Sequence, residues 1–231
     1  MNQATYRGLV LVAVVLVLAA SFAFADDFLA DFYGYDYWSP WTAPSGAPGD
    51  CYNSVGYTPA VNPVFLTFDY AVNEYTYSLQ SVCLSTVDTV GTHVILEFTG
   101  GTLDLYCDPL TGGTTADFGT NPPNAVSPST FEDGDCVLGA DLATMQIVID
   151  TTTGNADLFG SLDFVRGSQL GNLPANQRNG WTLAGLRAAA PGIPAGYSWQ
   201  VDGQLFLQAP VPVQDESWGS IKSRFQGGES R

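Results

Sequence analysis

A single histidine, His93, limits the acid–base chemistry open to this 231-residue chain. A Ser-His-Asp arrangement would have to use it. It falls in an alternating run, 92–98, on the face of Ile95 and Glu97 and opposite Val94 and Leu96, where a solvent-edge strand histidine would sit. No Gly-x-Ser-x-Gly elbow occurs, and Phe159-Gly160-Ser161-Leu162 reads as strand rather than as a strand-to-helix turn. Carboxylates for glycoside hydrolysis are plentiful, Glu74 and Glu97 among them, but no spacing sets two of them across a groove. No catalytic residue is assigned, and no enzymatic activity is expected.

Binding chemistry has more to draw on. Glu132, Asp133, Asp135 and Asp141 form the densest acidic cluster, and calcium favours the carboxylate and carbonyl oxygens that such turns supply. The cluster lacks the twelve-residue EF-hand pattern, so a solvated acidic turn is the competing reading. Tyr35, Tyr37, Trp38 and Trp41 lie in an aromatic, Pro- and Gly-rich stretch, 26–50, and planar rings of this kind stack on the apolar faces of sugars. The competing reading packs them onto the edge of the domain. Of the three ways to pair Cys51, Cys83, Cys107 and Cys136, joining Cys51 to Cys83 and Cys107 to Cys136 closes the shorter loops. Spacings of 32, 24 and 29 residues, with no CxxC and a distant histidine, argue against zinc.

The elements that must hold these residues are strands. Val64, Leu66, Phe68 and Tyr70 alternate with smaller or polar residues, and 75–84 can return antiparallel after a turn at Asn73-Glu74. Val94, Leu96 and Phe98 continue the period, and Gly100-Gly101 predicts a tight hairpin to Leu103, Leu105 and Cys107. Residues 108–135 turn to Pro, Gly, Asn and Thr, the composition of a surface excursion. Two runs, 142–150 and 156–165, flank Thr151-Thr152-Thr153-Gly154-Asn155 as a second hairpin. In its second arm Ala156, Leu158, Leu162 and Phe164 share a core face. Residues 181–188 suit a short strand or a helical turn, and 197–208 a last strand. The pattern predicts an all-β fold, an antiparallel sandwich or jelly roll, with a partly open barrel as the alternative.

The ends read differently. Residues 1–25 carry Arg7, an apolar run of roughly 12 to 16 residues and Ala23-Phe24-Ala25, a secretion signal cut before Asp26. The run is short for a bilayer span of about 20 residues, so no membrane span is expected after cleavage, an uncleaved anchor being the alternative. The chain's net charge is −16. Nucleic acid and anionic lipid are poor partners for such a surface. At the other end 210–231 begins with Pro210-Val211-Pro212-Val213, a stiff linker. Trp218, Ile221 and Phe225 then form one stripe of a short amphipathic helix. The domain proper is expected at 51–209.

Gly100-Gly101-Thr102-Leu103-Asp104-Leu105-Tyr106-Cys107-Asp108-Pro109 and Phe131-Glu132-Asp133-Gly134-Asp135 resemble the middle third of exported β-sandwich proteins of environmental bacteria, many of which end in PEP-CTERM sorting tails. The likeness covers roughly residues 60 to 210. It stops at the C-terminus, where Trp218-Gly219-Ser220-Ile221-Lys222 resembles short sorting or attachment ends and no apolar anchor follows. The resemblance implies location more than activity: a secreted or cell-surface protein with a structural or interaction role, whose partner is a surface or matrix component, a polysaccharide included. A carbohydrate-binding module is the second reading and a glycan-active enzyme the third.

Overall fold

The computed structural model describes residues 27–39, 47–116 and 128–207. The signal segment, Trp41 and the tail stripe of Trp218, Ile221 and Phe225, with the helix expected there, lie outside the described residues. Among the described residues nine strands follow one another: β1 Asp27–Ser39, β2 Cys51–Tyr57, β3 Asn73–Val90, β4 His93–Thr99, β5 Thr102–Pro109, β6 Asp135–Asp150, β7 Ala156–Arg166, β8 Trp181–Ala188 and β9 Trp199–Leu207. Each pairs antiparallel with its neighbour in an up-and-down order, and β1 pairs with β9 to close the sheet. The result is an eight-stranded closed barrel rather than a sandwich. Closure leaves no unpaired sheet edge to protect.

Eight staves arise from nine strands because β4 and β5 lie end to end in one stave. Both run antiparallel to β3 and to β6. The predicted Gly100-Gly101 hairpin is therefore corrected: these glycines bend a single long stave and do not reverse it. Both have positive φ, and a Cβ on Gly101 would sit 2.6 Å from the Gln80 carbonyl oxygen. Opposite them Ser81 also takes a positive φ of 57°, its N–H donating to Asn53 Oδ1. Register shifts at 52–54 in β2 and 142–144 in β6 extend this irregular line around the wall. Such bulges and glycine bends let long strands coil into a barrel.

The strand expected over 64–70 is likewise corrected to a loop. Asn62 holds a turn, its carbonyl oxygen accepting from the N–H groups of Phe65 and Leu66. Two residues of this segment serve as a plug, Leu66 at 1 % exposed and Phe65 edge-on to Trp181 at 5.9 Å, while Val64 and Tyr70 stay exposed. Gln169 fastens the plug, accepting from the Thr67 N–H at 2.8 Å and donating to its carbonyl at 3.0 Å. The β6–β7 hairpin forms as expected, with Ala156, Leu158, Leu162 and Phe164 all buried.

Inward side chains fill the barrel. Trp181, Tyr52, Phe98, Leu96 and Ile147 are among the largest that are sealed from water. Trp38 joins them, edge-on to Tyr52 at 5.6 Å. The aromatic N-terminal stretch thus supplies the closing stave instead of preceding the domain. What remains open between Phe32, Tyr52, Tyr77 and Leu158 is about 20 Å³, room for about one water.

Candidate binding surface

Strand alternation turns Phe32, Asp36 and Trp38 of β1 into the barrel and Tyr33, Tyr35 and Tyr37 out of it. The outward tyrosines do not stand alone. Tyr33 lies beside its cross-strand partner Tyr57, ring centroids 5.5 Å apart. Tyr197, from the loop before β9, touches Tyr35 at 5.6 Å and meets Tyr37 edge-on at 5.8 Å. Partial burial raises the pKa values of Tyr35, Tyr37, Tyr57 and Tyr197, and the Glu132 carboxylate adds to the effect at Tyr37 and Tyr197. These phenols stay protonated at neutral pH, so each brings a flat apolar face, and Tyr35 and Tyr37 a hydroxyl that donates and accepts, while the Tyr197 hydroxyl is buried. That combination suits stacking on a ring-bearing, hydroxylated partner.

Behind the tyrosines, on the inward face, lies a charged pair that the spacing of residues did not reveal. Arg187 of β8 reaches past β9 to Asp36 of β1, its Nε bonded to Asp36 Oδ2, with both side chains at most 3 % exposed. Burial pushes the Asp36 carboxyl up to about 6 even though Arg187 pulls against it. The Tyr52 hydroxyl lies close enough to favour the ionised carboxylate, but it makes no well-formed hydrogen bond to Oδ1. The guanidinium packs 4.8 Å from the Trp199 ring centroid and 6.0 Å from that of Tyr52. This pair locks three staves together.

The other candidates fall into place one by one. Cys51 and Cys83 are directly opposite on β2 and β3 and form a disulfide, as expected. Cys107 and Cys136 are free, which corrects the expected second bridge. Cys136 faces Tyr106, one residue from Cys107, and a one-residue offset puts the two thiols on opposite faces of the sheet. The Cys136 thiol donates to Asp104 at 3.7 Å, and burial, with that carboxylate, pushes its pKa up to about 11.

The structure does not gather the four proposed calcium ligands. Glu132 accepts from Ser78 at 2.8 Å and from Gln80, and Asp141 is paired with Arg166 at 2.9 Å. Among the described residues no group of three or more potential ligands comes together. Of the four aromatics named for sugar stacking, Tyr35 and Tyr37 face outward, whereas Trp38, at 6 % exposed, is part of the core and leaves the candidate surface.

His93 stands exposed at the start of β4, paired in register with Asp150, on the rim of a surface depression of about 290 Å³. The Thr152 and Thr153 hydroxyls there donate to Asp150 and, with the Thr152 N–H, hold its carboxyl below the usual carboxylate range. These hydroxyls are committed to a carboxylate, and the hydroxyl beside the imidazole is that of Thr92, 3.5 Å from His93 Nδ1.

Elsewhere on the outer wall Asp31, Glu97, Asp104, Asp157, Asp163 and Asp202 project from four different staves, and Val90, Phe159, Val165 and Leu186 are exposed as well. No family model, curated protein or solved structure matches this chain.

Proposed function

We propose that this chain is a non-enzymatic protein of the extracytoplasmic space whose barrel displays an outer tyrosine face to a cell-surface or matrix component. The observation that carries the reading is the cluster of Tyr33, Tyr35, Tyr37, Tyr57 and Tyr197 on the outer wall, around an interior whose open space beside Phe32, Tyr52 and Tyr77 is about 20 Å³. Several features support the location. The leader has the form of a cleaved signal, the compact unit starts at Asp26, where the cut is expected, and a disulfide joins β2 to β3. The resemblance to exported surface proteins points the same way. Carboxylates all around the barrel argue for a wall in water, because a barrel facing lipid needs an apolar band.

The phenol chemistry of the face favours a second, more specific reading, a carbohydrate-binding module. A wall carrying this much negative charge repels acidic polysaccharides, so the glycan would be neutral or basic. The test is a glycan array, with and without calcium, together with pull-down on cell-envelope fractions, using the chain from Asp26 onward. The expected result is binding that the double variant Tyr35→Ala and Tyr37→Ala loses while remaining folded. Binding unaffected by that variant, or no retention on any glycan or envelope fraction, overturns the reading.

A further inference from the structure

At the end of the barrel away from the plug, the outer-wall depression of about 290 Å³ lies over the start of β7, between the end of β6 and the end of β8. Val148 of β6, Asp157 of β7 and Leu186 of β8 stand side by side across it, each the register partner of the next. We propose that this depression and the apolar shoulder beside it are a docking site for a basic polypeptide segment, a lysine or arginine seated on Asp157 with an apolar neighbour on Leu186 and Phe159.

The shoulder is open to water. Strand alternation turns Ala156 and Leu158 inward, where both are buried, and Asp157 and Phe159 outward, where both are exposed. Leu186 is 61 % exposed and Phe159 48 %. Phe159 faces Ala184, two residues from Leu186, and Gln146, two residues from Val148. Diagonal neighbours of this kind lie about 7–8 Å apart on a sheet. Val148, Phe159 and Leu186 therefore border the Asp157 carboxylate on three sides with apolar surface.

That carboxylate has no cation of its own. The fixed positive charges of the described residues are three arginines, and all are engaged elsewhere. Arg166 pairs with Asp104 and Asp141, and Arg178 donates to the Leu173 carbonyl. Arg187 borders the depression, but its guanidinium is turned inward and bonded to Asp36. Asp150, whose oxygens already accept from Thr152 and Thr153, adds to the negative field and leaves the contact to Asp157. Asp202, the register partner of Leu186 on β9, extends the field on the other side. His93 stands on the rim beyond Asp150.

Lysine and arginine match both halves of the site, because their methylene stems lie along apolar surface while the charged head reaches a carboxylate. An exposed ion pair contributes little by itself, so the anchoring falls to the apolar burial that Leu186 and Phe159 supply. A free diamine would leave that shoulder bare, which favours a polypeptide. The strands beneath are paired on both sides, so recognition is by side chains and not by addition of a strand. A second copy of this chain is a poor partner, since it would set Asp157 against another chain of net charge −16.

Fluorescence anisotropy with the chain from Asp26 onward, at about 0.15 M salt to screen long-range attraction, tests the proposal. The probe is a labelled hexapeptide of alternating lysine and leucine. Saturable binding is expected, weaker by about tenfold or more for a hexapeptide of alternating lysine and serine. Leu186→Ser should weaken the lysine–leucine peptide by about tenfold, and Asp157→Asn by about threefold or more, each with the melting temperature kept. Asp133→Asn removes the same charge beyond the opposite end of β6 and should leave the affinity unchanged. So should the double variant Tyr35→Ala and Tyr37→Ala, which separates this site from the tyrosine face. The proposal is overturned by no saturation, by equal binding of the lysine–serine peptide, or by cadaverine competing as well as unlabelled peptide. Equal losses in Asp133→Asn and Asp157→Asn, or full binding by a folded Leu186→Ser protein, overturn it too. Sedimentation of the peptide-free protein covers the last alternative: a dimer that Leu186→Ser dissociates would give the patch to a second copy and sink the proposal.

Discussion

On the inward face of β1, Phe32, Asp36 and Trp38 are sealed from water, whereas Tyr33, Tyr35 and Tyr37 on its outward face keep part of their rings exposed. The partners differ in kind as well as in burial. Inward residues meet side chains from distant parts of the chain: Asp36 meets Arg187, and Trp38 meets Tyr52 and Phe98. Outward residues meet a few other tyrosines and then solvent. The inward face therefore carries stability, the outward face is the one proposed to meet a partner, and a substitution on one should leave the other's property largely intact.

The sharpest way to break this division is to unpair the buried charge. Arg187→Ala leaves Asp36 buried without its counter-ion and should cost about 3–5 kcal/mol in urea unfolding. Replacing both partners with apolar residues of similar volume should recover most of that loss, because the desolvation of two charges is then avoided. A single substitution costing under about 1 kcal/mol would mean that the pair does not lock the staves.

Next in size is the cystine. Cys51→Ser with Cys83→Ser should cost about 2–4 kcal/mol, while Cys107→Ser or Cys136→Ser should cost about 1 kcal/mol or less, since neither residue is in a disulfide. Thiol titration of the unfolded, unreduced protein should find two reactive groups. Finding none would restore the second bridge.

Acid titrates the same buried pair more gently. The folded pKa of Asp36 is raised to about 6, above its usual value of 3.8. The folded state therefore takes up the proton first, and the resulting stability is complete below about pH 3.8 and is lost as pH rises through about 6. Between pH 6 and 4 acidification should stabilise the barrel, by at most about 1.4 kcal/mol per pH unit from this one group. Urea midpoints measured across that window should rise in the native protein and flatten in Asp36→Asn. A falling midpoint with the same slope in both proteins would show that other carboxylates dominate.

The smallest effect on stability is expected on the outward face. Tyr35→Ala or Tyr37→Ala should change unfolding by about 1 kcal/mol or less while removing the partner binding proposed for that surface. A loss comparable to that of Arg187→Ala would place the tyrosines with the core.

The proposed surface was legible in the sequence only as a crowding of aromatic residues over 26–50, from which Tyr35 and Tyr37 come; the strand that turns them outward was not. Their neighbours Tyr57 and Tyr197 were not, since they arrive through pairing with β2 and through the loop before β9. Asp36 and Arg187 could not be matched from spacing because they are 151 positions apart. Trp38 was drawn into the stacking set by composition, although its even position on β1 sends it inward with Asp36.

The sequence by itself determined what depends on short-range order: the all-β character, the β6–β7 hairpin with its core face, the last strand, and a cystine whose two residues fall on neighbouring strands. Tertiary structure decided what depends on which strands become neighbours. Two glycines after an alternating run permit either a reversal or a bend, and only the simultaneous pairing of β4 and β5 with β3 and β6 selects the bend. Two residues of 64–70, Phe65 and Leu66, became a plug because closing the barrel leaves an end to be filled and no sheet edge for another strand. Closure also set the one-residue offset that keeps Cys107 and Cys136 apart, for register is a property of the whole ring of staves and not of any one of them.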